Sequence, residues 1–380
     1  MAMAFMNRRN LITASAALVL AGCAVIPKTA PPPAPTPTPE PSATALPDDA
    51  KRHRVALLVP LAGENGEVGQ SIANATTMAI LDTNADNLRI TTYDTSRGAG
   101  AAARAALADG NSLILGPLLG SNVAALRTVA GTSNVPVITF SNDTSVAGPG
   151  VFVMGHVPEQ SISRSVEFAR GEGARNFAVL SPDSDYGRRA EAAMQSSLAS
   201  YGGRLVATER YARSNTSIIS AGGRLKAMGG FDTVLIADGG TTSIRGAEAV
   251  SAPSLRILGT ERWAGESGVL RSNALRGALF SAVTDKRYPD FVKSYEARFG
   301  GQPYRIATLG YDGVLLTLRA ARDWKVGQPF PVNVLFQDGG FDGMDGPFRF
   351  RRNGVVDRAM EVRRIEGGTF VTVSAAPTGF

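Results

Sequence analysis

This sequence has few of the residues on which nucleophilic catalysis and metal binding most often depend: one cysteine and two histidines, His53 and His156, among 380 residues. Cysteine–histidine catalysis and zinc sites need several such side chains to converge, so the composition argues against both. Neither a G-x-x-x-x-G-K-[ST] phosphate loop nor a G-x-S-x-G turn occurs. Paired carboxylates among the 33 acidic residues stay open as a route to catalysis. We therefore expect a binding protein without metal or cofactor, not an enzyme.

Long basic runs and membrane-length apolar runs are also missing. The 39 basic and 33 acidic residues leave a net charge of +6, and the basic residues are scattered among acids. Because nucleic-acid binding usually needs clustered basic residues with interleaved aromatics, we expect no nucleic-acid partner. The apolar run from Leu11 to Ala21 is shorter than the about 20 residues that a membrane-spanning helix needs.

That apolar run has the layout of a cleaved leader. Arg8 and Arg9 precede it, and the small residues of "LAGC" end at Cys23. The four residues resemble a bacterial lipobox, which implies removal of residues 1–22 and acylation of the Cys23 sulfur. An ordinary signal peptide with a chance cysteine is the alternative. Acyl chains contribute about 0.8 kcal/mol per buried methylene, so an acylated terminus would hold the protein at a membrane surface.

A proline-rich linker follows, with the sequence "PPPAPTPTPEPSATALP". Its proline spacing and lack of large apolar residues exclude a helix or a core, so it should be extended. At ~3.1 Å per residue, some two dozen residues reach on the order of 70 Å from the membrane. The linker either carries the folded part toward a distant partner or serves as a simple tether.

The remaining 330 or so residues alternate between apolar strand patterns and helical patterns, which predicts an α/β protein of two lobes. Continuous apolar runs indicate buried parallel strands. Strands are predicted at 54–60, 88–94, 112–117, 135–140, 176–182, 204–211, 231–238, 255–260 and 277–283. Helices are predicted at 69–83, 99–109, 121–131, 159–171, 186–200, 216–228, 242–250, 288–300 and 305–324. The tail predicts antiparallel strands that turn at Asn353-Gly354 and Gly367-Gly368.

The order of these elements resembles the type I periplasmic binding fold, in its leucine/isoleucine/valine-binding branch. The stretches that carry the resemblance are "VALLVPLAGENGEVGQSI", "LILGPLLGSNVAAL", "VPVITFSNDTS", "VLSPDSDYGRRAEAAMQ", "ILGTERW" and "GPFRFRRNG". Within that branch, "GPLLGSNVAAL" together with the lipobox and linker resembles the lipoproteins that activate penicillin-binding proteins. The resemblance implies two α/β lobes with parallel sheets joined by three crossovers.

The crossovers are expected near 154–158, 283–286 and 341–346. They divide the chain into a leader, a linker and lobes built from separate segments. The expected segments are 1–22 (signal peptide), 23–50 (lipidated terminus and linker), 51–155 and 284–341 (N-lobe), and 156–283 and 342–380 (C-lobe and tail).

The resemblance also implies an amino-acid site in the cleft between the lobes. Ser121 and Thr144 match the positions at which the family binds the ligand carboxylate, Glu261 matches its partner for the ammonium, and Tyr186 matches an aromatic wall. Each residue has a simpler structural alternative. Ser121 could cap a helix, Thr144 could close a turn, Tyr186 could open a helix, and Glu261 could pair on the surface with Arg262.

Two functions are consistent with these features. One is a tethered activator of a peptidoglycan synthase, a penicillin-binding protein, in cell-wall biogenesis. The other is the receptor lipoprotein of a branched-chain-type amino-acid ABC importer, which needs a formed pocket but no long linker. Ala24 stands where an aspartate commonly retains lipoproteins at the inner membrane, so we expect the periplasmic side of the outer membrane. That location and the linker's reach favour the activator.

Overall fold

The computed structural model describes residues 51–131, 133–213 and 217–380. The predicted signal peptide, Cys23 and the proline-rich linker lie outside these residues. No helix in the described ranges combines the length and apolar character needed to cross a membrane.

Strands and helices alternate through most of the described chain, as the sequence predicts. The strands are β1 His53–Val59, β2 Leu88–Asp94, β3 Leu113–Leu115, β4 Val137–Thr139, β5 Val151–Val153, β6 Asn176–Pro182, β7 Arg204–Tyr211, β8 Thr233–Ile236, β9 Arg256–Leu258, β10 Leu279–Val283, β11 Phe341–Gly343, β12 Gly346–Phe350, β13 Val356–Arg358, β14 Met360–Glu366 and β15 Thr369–Ser374. The helices are α1 Gly66–Thr83, α2 Ala99–Ala108, α3 Gly120–Ala130, α4 Pro158–Gly171, α5 Asp185–Tyr201, α6 Ser217–Met228, α7 Gly240–Val250, α8 Ser267–Leu270, α9 Tyr288–Phe299 and α10 Thr308–Ala321.

The N-lobe is built on a parallel sheet with strand order β2-β1-β3-β4-β5. Alternate residues of β1 enter two cores: Val55, Leu57 and Val59 join one cluster, and Ala56 and Leu58 join the other. Helices α2 and α3 cover the second face. Because both faces are covered, β1 consists of consecutive apolar residues instead of alternating ones.

The C-lobe repeats this arrangement on a mixed sheet with order β15-β14-β10-β9-β8-β6-β7. In β6, Ala178 and Leu180 face one core, whereas Phe177 and Val179 face the core formed with α4 and α5. Strands β6 to β10 run parallel, and β14 and β15 add antiparallel strands at the β10 edge. The β14–β15 hairpin turns at Gly367-Gly368, where both residues have positive φ, as the sequence predicts.

Three crossovers join the lobes, which confirms the predicted fold class. The first lies at 154–157 and the second at 284–287, whereas the third lies at Ala359, between β13 and β14. This third position differs from the expected boundary at 341–346. The β11–β12–β13 sheet spans 341–358, and its buried Phe348 and Phe350 belong to the N-lobe core. These aromatic side chains hold the segment on the N-lobe because they fill space beside Phe152 there.

Both lobes use the same close approach between a strand end and the following helix. Pro60 follows β1, and a Cβ placed on Gly69 of α1 would overlap the Pro60 carbonyl. Pro182 ends β6, and a Cβ on Gly187 of α5 would overlap the Pro182 carbonyl in the same way. Each glycine therefore lets the first turns of its helix approach the loop at the carboxyl end of the strand, where the lobes meet.

A buried network of charged side chains connects the crossovers. His156 Nε2 lies 2.7 Å from Asp345 Oδ2, and Asp345 Oδ1 accepts a 2.7 Å hydrogen bond from Arg305 Nη1. Arg305 Nη2 lies 3.1 Å from Asp285 Oδ1, and Asp285 also pairs with Arg363 of β14. The network links the first and second crossovers to the strand that follows the third.

Candidate functional site

Tyr186 and Glu261 meet at the carboxyl ends of β6 and β9, two C-lobe strands that are separated in the sheet by β8. Ser184 caps α5 by accepting a hydrogen bond from the Gly187 N–H, so Tyr186 lies in the first helical turn. Glu261 opens a 3₁₀ turn that is separated from the end of β9 by two residues. The Tyr186 hydroxyl lies 3.0 Å from Glu261 Oε1, to which it donates, and 3.0 Å from Thr260 Oγ1. The structure therefore brings these two predicted residues together.

The Glu261 carboxyl is buried, and only one of its two oxygens accepts a hydrogen bond from a described residue. Its residue is 9% exposed, and its Oε2 atom has no hydrogen-bond partner among the described residues. Burial raises the pKa of Glu261 to about 7, against the opposing effects of hydrogen bonds and of Arg262. A buried acceptor without a partner costs free energy, so this oxygen is suited to receive a donor from outside the chain.

Arg262 does not form the surface pair with Glu261 that the sequence left open. Its guanidinium instead lies 5.2 Å from the Tyr186 ring centroid and 3.3 Å from Asp238 Oδ1. Arg262 thus packs over the aromatic wall and leaves the Glu261 Oε2 atom unpaired.

Thr144 lies on the opposite lobe, in the 3₁₀ turn Thr144–Val146 after β4. Its hydroxyl donates to Glu159 Oε1 at 3.2 Å, and Glu159 belongs to α4 of the C-lobe. Arg189 of α5 holds the same carboxylate through two bonds of 2.8 and 2.7 Å and also donates to the Asn142 carbonyl of the N-lobe. These contacts bridge the two lobes directly.

Ser121 is the second residue of α3 and is exposed. The residue before the helix is Leu119, whose side chain cannot cap it, so Ser121 is not the helix cap that the sequence left open as an alternative. Asp143 lies against the start of this helix, because a Cβ placed on Gly120 would approach Asp143 Oδ2 to 3.1 Å. Within the described residues, no hydrogen bond joins the Ser121 and Thr144 side chains, and the Thr144 hydroxyl donates to Glu159 instead.

Sequence reasoning missed Glu159, Arg189 and Asp143. One signal was available for Arg189, because it follows Tyr186 by three residues and so shares its helix face. Glu159 directly follows the first crossover and the proline that starts α4, which places it beside the cleft. Neither pattern identifies the partner across the cleft, because that depends on how the lobes meet.

Residues 53–369 match the sequence profile of the family described as periplasmic binding protein. Among solved structures, a putative branched-chain amino acid ABC transporter protein of Rhodospirillum rubrum is 18% identical, with a TM-score of 0.73 over 85% of this chain and 100% of that one. A branched-chain amino acid substrate-binding protein of Streptococcus pneumoniae, solved with isoleucine, is 18% identical, with a TM-score of 0.66 over 86% and 100%. A Rhodopseudomonas palustris solute-binding protein with 3,4-dihydroxybenzoic acid is 18% identical, with a TM-score of 0.69 over 87% and 97%. At these identities the likeness shows a shared fold.

A curated relative matches a shorter stretch. It is an uncharacterized protein of Rickettsia prowazekii, 27% identical over 165 residues. The match covers 43% of this chain and 44% of the relative's own length.

Proposed function

Because this chain belongs to the periplasmic binding protein family, we propose that it is the solute receptor of an ABC importer and closes on a small solute bearing an ammonium group, such as an amino acid. The family implies a periplasmic location. The observation that carries the proposal is the Glu261 carboxyl, buried beside Tyr186 with one oxygen unpartnered. An ammonium group would supply the missing donor and a compensating charge. The role is binding, without a catalytic step.

Proteins of the same fold with bound solutes support the proposed receptor function. The protein of Streptococcus pneumoniae holds isoleucine and that of Rhodopseudomonas palustris holds a dihydroxybenzoic acid, and both share this fold. Glu261 and Tyr186 follow strand ends of a parallel sheet, and open α/β sheets generally bind ligands at such ends.

Isothermal titration of the full chain with a panel of amino acids and amines tests the proposal. We expect at least one solute to bind with a dissociation constant in the micromolar range. Glu261→Gln should weaken that binding by about tenfold to a hundredfold, since a neutral amide cannot compensate the ammonium charge. The matched control is Glu248→Gln, an exposed residue on α7. Absence of binding by every solute contradicts a receptor role, whereas equal binding by Glu261→Gln contradicts the role of Glu261 as the partner of the ammonium.

The second candidate is the activator of a penicillin-binding protein in cell-wall biogenesis. The observation that favours it is the direct bridge between the lobes, in which Arg189 and Glu159 of the C-lobe contact Asn142 and Thr144 of the N-lobe. A protein whose cleft is closed by its own side chains could present a rigid surface to a partner. Two results together would favour this candidate over the receptor: the tagged full chain captures a bifunctional penicillin-binding protein, and the titrations detect no solute binding.

Both candidates include a lipid anchor at Cys23, and the activator also includes an outer-membrane location. The sequence alone supports these two features. Mass spectrometry of the native amino terminus should detect an acylated cysteine, and fractionation of the envelope should place the protein in the outer membrane. An unmodified thiol would remove the anchor from either proposal.

A further inference from the structure

We infer that the interlobe site selects an amine that carries no carboxylate group, a choice that rests on the proposed receptor function. An amino acid needs a partner for its ammonium and another for its carboxylate. In this structure, three cleft-facing positions suited to an anion are each covered by a carboxylate of the chain itself. The acceptor for the ammonium, Glu261 Oε2, is by contrast buried and has no hydrogen-bond partner among the described residues.

The first covered position is the Thr144 hydroxyl. It donates to Glu159 Oε1 at 3.2 Å, so its single proton is already used. Arg189 is the guanidinium nearest to that carboxylate, and its Nε and Nη2 atoms are both bonded to Glu159. Its remaining contacts reach the Asn142 carbonyl and, at 3.9 Å, Asp143. A ligand carboxylate would therefore compete with an internal ion pair and meet the negative charge of Glu159.

The second covered position is the amino-terminal end of α3. The unpaired N–H groups of a helix start favour an anion. Asp143 lies there, since a Cβ on Gly120 would come within 3.1 Å of its Oδ2 atom. Hydrogen bonds from the Ser145 N–H at 3.0 Å and the Ser145 hydroxyl at 2.7 Å hold the Asp143 carboxylate in place. The N-lobe side of the cleft thus presents a fixed negative charge.

The third covered position is the amino-terminal end of α7, after β8 in the C-lobe. A Cβ on Gly240 would overlap the Glu266 carboxylate, and one on Gly239 would approach Glu266 Oε1 to 2.6 Å. The absence of side chains at both glycines lets this carboxylate lie directly against the helix start. Glu266 follows the 3₁₀ turn that begins with Glu261, so both carboxyl groups belong to one rim of the cleft.

The balance of charge around the cleft also favours an amine over an amino acid. Even without Glu261, the carboxylates of Asp143, Glu159, Asp238 and Glu266 outnumber the guanidinium groups of Arg189, Arg213 and Arg262. An amine would reduce this excess of negative charge, whereas the carboxylate of an amino acid would restore it.

Matched pairs of solutes that differ only by the carboxylate test the inference. Isothermal titration of the full chain would compare isoamylamine with leucine, phenethylamine with phenylalanine, cadaverine with lysine and agmatine with arginine. We expect at least one amine to bind about tenfold or more tightly than its parent amino acid. Amino acids that bind as tightly as their amines, or more tightly, overturn the inference and leave the receptor function standing. If none of the eight solutes binds, the inference is overturned, and if none of the wider panel of amino acids and amines binds, the receptor function is overturned as well.

A charge-neutral variant separates selectivity from general affinity. Glu159→Gln keeps the shape of the side chain but removes the charge beside Thr144, so the preference for the amine should shrink by about fivefold to tenfold. Glu167→Gln, on the same helix, is the control and should keep the full preference, because Glu167 is 46% exposed and pairs with Arg164. An unchanged preference in Glu159→Gln, with an unchanged melting temperature, also overturns the inference. If this variant is unfolded, Glu266→Gln supplies the same comparison at α7.

Discussion

His156 Nε2 lies 2.7 Å from Asp345 Oδ2, and this contact joins the first crossover to the loop between β11 and β12. The two side chains are 14% and 1% exposed. Burial lowers the pKa of His156, although Asp345 opposes that effect. Burial also disfavours ionisation of Asp345, but Arg305 and His156 outweigh it and hold the pKa of Asp345 well below its usual range. Asp345 is thus the central anion of the network at the hinge.

Asp345→Asn should be strongly destabilising. The amide keeps the shape but removes the charge that compensates Arg305, whose side chain is 9% exposed. Breaking a buried ion pair from one side typically costs about 3–5 kcal/mol, so we expect a loss of about 3 kcal/mol in the free energy of unfolding. Urea titration followed by circular dichroism measures it. Asp342→Asn is the control, since Asp342 is 59% exposed and its pair with Arg287 should contribute less than about 1 kcal/mol. Equal losses in the two variants would contradict this account.

Glu261 should make the stability of the protein depend on pH. Burial raises its pKa from 4.5 to about 7, so the folded state favours the protonated carboxyl. Its stabilising contribution is therefore complete below about pH 4.5 and is lost as the pH rises through 7. Wild type should lose up to about 3 kcal/mol relative to Glu261→Gln between pH 5 and pH 9.

Chemical unfolding of wild type and Glu261→Gln across that pH range tests this prediction. The difference between the two proteins isolates Glu261, because every other titratable group, His156 included, is common to both. Glu248→Gln should track wild type at every pH. A constant difference between wild type and Glu261→Gln would mean that Glu261 stays ionised in the folded state.

Much of the fold follows from local pattern. The bounds of β2, β6 and β7 equal the predicted 88–94, 176–182 and 204–211. These strands are long runs bounded by turn residues, so their ends are marked in the sequence. Strand β5 was not predicted, because three residues, Val151–Val153, are too few to show a period. The assignment of residues 342–358 to the C-lobe was also wrong. Apolar residues indicate that a segment is buried, but they do not indicate which core it joins.

The candidate site was predicted less completely than the fold. Tyr186 and Glu261 came from the resemblance to a family, and the structure places them 3.0 Å apart. Glu159 and Arg189 look like ordinary charged residues on helix surfaces. Their role depends on the closeness of Thr144 and Asn142, which belong to the other lobe. Such contacts arise from tertiary structure, so no local spacing of residues in the sequence predicts them.

Gly69→Ala should destabilise the N-lobe. The added Cβ would overlap the Pro60 carbonyl, so α1 must move away from the strand end. Overpacking of this kind costs about 1–3 kcal/mol. Gly171→Ala, at the end of α4, is the control: its Cβ would have nothing within 4 Å, and the change should stabilise by about 0.4–1 kcal/mol. Opposite shifts in melting temperature are therefore expected. A neutral or stabilising Gly69→Ala would show that α1 can shift without cost.

Arg189→Ala should loosen the closure of the lobes. Arg189 bonds to Glu159 within the C-lobe and to the Asn142 carbonyl across the cleft, so its removal leaves Glu159 with Thr144 as its hydrogen-bond partner across that gap. We expect a loss of about 2 kcal/mol in unfolding free energy and a larger radius of gyration in small-angle X-ray scattering, because hinge opening separates the lobes. Arg188→Ala is the neighbouring control, since Arg188 is 52% exposed and pairs with Asp183 and Asp185 of its own lobe. An unchanged radius in Arg189→Ala, with the expected loss of stability, would mean that the crossovers and their buried charges alone hold the lobes together.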